Sequence, residues 1–363
     1  MPDLTNRTLR AGVLTAGACV LTLCGTAALA QGCDPANGAE FICGVNNVED
    51  FTRLPDGRIL GSDLAQHGQR GYFRLFEADR SVHVIQPDEI AIAPDAAYAD
   101  CPVAPDWTVF GPHGIDFVAS GDTGTLLAVN HGGREAIEVF SVDLSGAVPE
   151  LAWTGCITAP KGAWPDDVAI LPDGGFIATS LWDPEDDTRV NKLTAGKPVG
   201  GLFEWHPGQG WSLVPGSEVM SGPNGVVVTP DGSTAYVAAW SGKQLVTVNR
   251  GTGDITAQDL DFAPDNLVWM ADGKSIIVGG VFQTVPDALA CFGSPDVNCP
   301  TVGVRVDRFD PATGALETLV NGNDFGEFGA ATGGIDVNGE LWVSSFRSDR
   351  IAIFDRTSTV NLY

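Results

Sequence analysis

The sequence predicts an all-β protein, a six-bladed β-propeller with four-stranded blades, and three observations predict it. Gly (45) and Pro (23) are plentiful among 363 residues, while no long stretch carries the 3.6-residue apolar period of an amphipathic helix. A short phrase recurs instead: an apolar run, a turn built on Asp-Gly or a close relative, and a second apolar run. The phrase returns six times at intervals of roughly 40 to 70 residues, which leaves room for two further strands in each repeat. A sandwich plus a second domain is the alternative. It needs a divider, and no linker-like stretch interrupts residues 31–363, so they read as one domain.

The six copies span 51–60, 115–129, 168–179, 226–237, 267–278 and 335–343. Their turns sit at Asp56-Gly57, Gly121-Asp122, Asp173-Gly174, Asp231-Gly232, Asp272-Gly273 and Asn338-Gly339. Tight reversals between β-type runs need positive φ, which Gly, Asn and Asp supply. Residues 202–205 with 211–214, and 244–249, supply outer strands. An N-terminal strand is expected to complete the last blade beside 350–354, so that closure leaves only short edges. Segments 183–188 and 287–300 read as long surface loops.

Residues 1–30 read as a secretory signal peptide: Arg7 and Arg10, an apolar stretch over 11–23, then Ala28-Leu29-Ala30 before Gln31. The apolar core is too short to cross a bilayer, and no later segment approaches the ~20 apolar residues needed. An exported protein, periplasmic or extracellular, is the expectation. Six cysteines follow, at 33, 43, 101, 156, 291 and 299, and an even number in an exported chain suggests disulfides. Short loops favour Cys33–Cys43 and Cys291–Cys299, leaving Cys101–Cys156, one of about 15 possible pairings. No C-x-x-C pair supports zinc. A formal charge of −26 makes nucleic acid and anionic membrane surfaces poor partners.

A polar pair stands just before each innermost strand: Glu49-Asp50, His113-Gly114, Asp166-Asp167, Asn224-Gly225, Asp265-Asn266 and Thr332-Gly333. In a propeller these pairs gather at one end of the central channel. Packed acids repel one another and are costly to bury without a cation. Calcium accepts ~6–8 oxygens, Asn carbonyls included, so the ring suits calcium better than magnesium or zinc. The plainer reading, strand-end caps and Asx turns, fits one such pair better than six in phase. His113 and His131, 18 residues apart, sit at the mouth ends of neighbouring strands and make a histidine pair. Trp164, Trp182, Trp240, Trp269 and Phe346 are expected near the same end, as pocket walls or as blade packing. His67, His83 and His206 fall in outer turns or strands and receive no role. No Gly-x-Ser-x-Gly or His-Glu-x-x-His motif is present, so neither a serine elbow nor a zinc-protease helix is indicated.

On these residues the chain resembles the paraoxonase/arylesterase family, within the wider group of calcium-dependent lactonase propellers that includes gluconolactonase. The resemblance is carried by Glu49-Asp50, Pro112-His113-Gly114-Ile115, Val129-Asn130-His131, Glu138-Val139-Phe140, Asp166-Asp167-Val168, Asn224-Gly225 and Asp265-Asn266, with the sixth blade matching loosely. It implies two Ca2+ ions on the axis. Glu49, Asp166, Asn224, Asp265 and Asn266 would hold the catalytic ion; Asp50, Asp167 and the Ile115 carbonyl would hold the structural one. It implies His113 as base and His131 as its orienting or relaying partner. Asp166 stands where the family usually has Asn, which should tighten calcium and weaken it as a Lewis acid. The family's membrane-docking helices are missing, so no membrane association is implied. The expectation is a monomeric hydrolase of lactones or aryl esters. A phosphotriesterase and a non-catalytic, calcium-stabilised propeller that binds a small molecule are the alternatives.

Overall fold

A computed structural model describes residues 33–65 and 69–362. The expected signal peptide and His67 lie outside the described residues. Six sheets succeed one another along the chain, each a meander of antiparallel strands. Their innermost strands are Val48–Arg53, Pro112–Ser120, Pro165–Ile170, Pro223–Val228, Ala263–Trp269 and Ala331–Val337. Each innermost strand packs against that of the next blade, and the sixth packs against the first, which closes a ring. This is the six-bladed propeller that the hairpin count predicts.

All six expected hairpins form, and each joins the first two strands of its blade. Their turns place Gly57, Gly121, Gly174, Gly232, Gly273 and Gly339 at positive φ, between 61° and 92°. The last blade is completed by Glu40–Cys43, which pairs antiparallel with Arg350–Asp355. That N-terminal strand becomes the outer strand of blade six, so N-terminal and C-terminal segments of the described chain together form the blade that closes the ring. Four blades have four strands; the second and fifth gain a fifth, because Ala91–Ile92 and Val360–Asn361 add in parallel to their outer edges.

The core lies between blades, where apolar faces of adjacent sheets meet. Phe73 of blade one meets Phe140 of blade two edge to face at 5.3 Å, and Phe76 meets Trp342 of blade six at 6.1 Å. Disulfides join Cys33–Cys43, Cys101–Cys156 and Cys291–Cys299. The first anchors the closing strand; the second ties the long connection into blade two to its outer strand.

The two expected surface loops are partly helical. Residues 183–188 lead into helix α1, Arg189–Thr194. Helix α2, Val285–Phe292, occupies the start of the second segment. Its signal was a capping box, Thr284 accepting from Asp287 N while Asp287 accepts from Thr284 N, with Pro in the first turn. Val285, Ala288 and Cys291 bury its inner face.

Candidate functional site

Each innermost strand slips register against its neighbour at the same place. The slips fall between Val48/Asp50, Pro112/Ile115, Pro165/Val168, Pro223/Val226, Pro264/Leu267 and Ala331/Gly334. A bulge re-aims a side chain and tolerates proline, since the ladder needs no N–H there. The polar pairs therefore project from bulges, and two stacked layers result.

One layer faces a cavity of about 130 Å³. Glu49, His113, Asp166, Asn224 and Asp265 form its floor, and Trp164, Trp182, Trp240, Phe346 and Phe292 are among its walls. The other layer faces the central channel from the opposite end. Asp50, Ile115 and Asp167 line that channel, a cavity of about 550 Å³. Around the ring the second members of the pairs alternate between large and small. The small ones are required: a Cβ on Gly114 would stand 2.4 Å from Asp167 Oδ1, and one on Gly225 would stand 2.4 Å from Asp265 O.

The channel-side acids are tied to backbone. Asp50 accepts from Phe51 N (2.7 Å) and Ile115 N (2.8 Å); Asp167 accepts from Val168 N and Val226 N, both at 2.7 Å. Burial holds the Asp167 carboxyl well above the usual range, and the nearby Asp50 adds to this; burial and then Glu49 do the same for Asp50.

The pocket-side set differs. Asn266 donates to Glu49 O (3.0 Å) and Glu49 Oε1 (2.8 Å), yet Glu49 Oε2, Asp166 Oδ2 and Asn224 Oδ1 are buried without a hydrogen-bond partner. Burial, with Glu49 adding its charge, pushes Asp166 up to about 7 and holds Asp265 well above the carboxylate range. Orphaned, mutually repelling oxygens of this kind are what a hard cation would satisfy, so the residues fit calcium. Among the described residues, no three His, Cys, Asp or Glu side chains alone make a metal-ligand group. The orphaned set is mixed, since one of its three oxygens belongs to the amide of Asn224. Thr332 stays outside, donating to Glu49 O at 2.5 Å.

The histidine pair forms: His113 Nδ1 and His131 Nε2 are 3.0 Å apart. His113 Nε2 stands 3.5 Å from Glu49 Oε2. Burial by itself would lower His113, but Glu49, Asp166 and Asp265 outweigh it and raise the imidazole to about 10. A cation neutralising those acids would remove that push. His131 is lowered by burial. Trp164 stacks on the His131 ring at 4.1 Å and 9°, and Trp182 leans on Trp164 at 5.2 Å.

Trp269 is a correction. It lies at the far end of its seven-residue strand, lines the channel, and donates its indole N–H to Val228 O at 2.8 Å. Three residues past Asn266, the strand has carried it away from the pocket. His83 and His206 make surface pairs with Glu89 and Glu204. Glu135, absent from the sequence expectations, reaches His131 Nδ1 at 2.6 Å.

No family model and no curated protein matches the chain in sequence. Solved structures do match. A gluconolactonase from Xanthomonas campestris shares 16% identity at a TM-score of 0.51, covering 88% of this chain and 94% of that one. A structural-genomics protein of unknown function from Bacteroides thetaiotaomicron shares 11% identity at 0.50, covering 88% and 72%. At such identities the likeness shows the fold alone, that of a six-bladed propeller. Neither of these two carries the narrower paraoxonase/arylesterase resemblance.

Proposed function

We propose that the chain is an exported, calcium-dependent hydrolase of lactones or aryl esters. The observation that carries this reading is a histidine pair at 3.0 Å beside three orphaned buried oxygens, at the floor of an aromatic pocket. Glu49, Asp166, Asn224, Asp265 and Asn266 would hold the catalytic Ca2+, and Asp50, Asp167 and the Ile115 carbonyl a structural one. Bound there, calcium supplies a Lewis acid that polarises a carbonyl and stabilises charge on its oxygen.

The protein's own groups do the rest. His113 Nε2 takes the proton of the attacking water, and His131 holds the far side of the ring. The pocket wall of Trp164, Trp182, Trp240 and Phe346 surrounds the substrate's apolar part and keeps bulk water out. Residues 31–363, a single domain freed of its signal peptide, act as a monomer on a small molecule. The three disulfides suit an oxidising compartment, periplasm or medium. No described helix is long and apolar enough to cross a membrane.

The test is turnover of aromatic and aliphatic lactones, phenyl acetate and one phosphotriester, with calcium and after chelation. Activity on a lactone or ester that disappears with chelator and returns with calcium supports the reading. Turnover of the phosphotriester alone moves the assignment to that chemistry. No turnover, with a calcium-dependent gain in Tm, leaves a binding propeller.

A further inference from the structure

Glu135 belongs to neither axial layer, yet it holds one member of the histidine pair. It ends the loop between Thr123–Asn130 and Ala136–Asp143 in blade two. That loop is built to return on itself. Gly133 sits at φ +76°, and a Cβ on Gly132 would stand 1.8 Å from Val109 O. Buried Asn130 accepts from Gly111 N (3.1 Å) and Gly132 N (2.8 Å), and Arg134 grips the buried Glu138 at 2.7 and 2.8 Å. With both flanks fixed, the Glu135 carboxylate meets His131 Nδ1 at 2.6 Å. The Trp164 face, 4.1 Å away, prevents the ring from tipping out of that bond.

We propose, resting on the hydrolase reading above, that Glu135 is the positioning residue of the histidine pair and fixes the tautomers of both rings. A carboxylate only accepts, so His131 Nδ1 carries the proton. His131 Nε2 is then bare and accepts from His113 Nδ1–H across 3.0 Å. Once a cation neutralises Glu49, Asp166 and Asp265, His113 Nε2 is bare in turn, on the side that faces Glu49 and the axis. The same chain gives the proton a way out. As water attacks, its O–H bond breaks and His113 Nε2 gains the proton. His113 Nδ1 passes its own to His131 Nε2, and His131 Nδ1 passes its own to Glu135. The Glu135 side chain is 38% exposed and hands the proton to solvent. Without Glu135, His131 can carry its proton on Nε2, which turns the facing nitrogens donor to donor or leaves His113 Nε2 protonated.

The experiment is long-range 15N–1H correlation NMR of the calcium-loaded mature chain with 15N-labelled histidine, alongside kcat and KM on the best ester of the panel. In the wild type His131 reads as protonated on Nδ1 and bare on Nε2. Glu135→Ala is expected to mix the tautomers at both rings and to lower kcat by about 10- to 100-fold, the range for lost outer-sphere partners, with KM within about twofold. Glu135→Asp is expected to restore the tautomer and part of kcat. The exposed position should leave the Tm of both variants near wild type. An unchanged pair of tautomers in Glu135→Ala overturns the proposal whatever the rates do. The spectra decide the point even if no ester is turned over, which separates this inference from the fate of the hydrolase reading.

Discussion

The two layers on the axis come from the same six bulges, and they have opposite economies. On the channel side each carboxylate oxygen of Asp50 and Asp167 accepts a backbone N–H, one from its own strand and one from the next blade. The stitch recurs further down the channel, where Asp116 accepts from Ile170 N and Asp336 from Ala271 N. Each of these acids accepts a backbone N–H from an adjacent blade, so together they hold neighbouring blades in place. On the pocket side Glu49, Asp166 and Asn224 each keep a buried oxygen without a hydrogen-bond partner. An orphaned buried acceptor costs about 1–3 kcal/mol, and three of them side by side are what the calcium proposal rests on. Two residues adjacent in sequence can thus serve stability and chemistry separately.

The comparison is broken or sharpened most strongly by Glu49→Gln. It removes a pocket-side charge and leaves the channel side intact. Calcium affinity by titration calorimetry should fall about 100-fold or more, and ester turnover by about 10²–10³, the scale of a lost electrostatic stabiliser. Calcium-free Tm should stay near wild type, because Asp166, Asp265 and Asp50 lose a repelling neighbour while His113 loses an attracting one. A large fall in calcium-free Tm would mean that Glu49 stitches blades as Asp50 does. Gly114→Ala is the converse. Its Cβ would press on Asp167 Oδ1 and, at 2.7 Å, on Asp166 O, and backbone on one side cannot yield. A loss of about 2–4 kcal/mol, several degrees in Tm, is expected with calcium or without. An unperturbed melt would show that the two strands do not approach as closely as the alternation requires.

Much of this architecture was legible. Each hairpin announced itself because its turn needed a left-handed residue and the chain supplied Gly beside Asp or Asn every time. The axial residues were legible because they precede those strands in phase. The split into layers was not. A pair such as Asp166-Asp167 reads as one feature until a bulge turns its members apart, and Pro112, Pro165, Pro223 and Pro264 were the unread sign of that bulge. Glu135 was invisible for a related reason. Four residues after His131 means contact only once Gly132 and Gly133 have reversed the chain. Trp269 was misplaced because aromatic spacing fixes which face of a strand a ring takes, and its distance along the axis only through strand length.

Asp166→Asn tests the finest point of the contrast and carries the smallest expected effect. Asp166 has one unpartnered oxygen and sits among Glu49, Asp265 and His113. An amide keeps a carbonyl oxygen in place and removes one negative charge. Calcium should bind about tenfold more weakly, a difference of about 1.4 kcal/mol. The ion would then be less neutralised by its ligands and a stronger Lewis acid, so turnover at saturating calcium should rise a few-fold. Calcium-free stability should rise slightly, because a buried charge is removed, less what its attraction to His113 contributed. Affinity by titration calorimetry and kcat at saturating metal separate the two effects. If kcat falls at saturating metal, the Asp166 charge serves the reaction itself, through its attraction to the His113 imidazole, and the pocket-side layer is tuned to the histidine pair as well as to the ion.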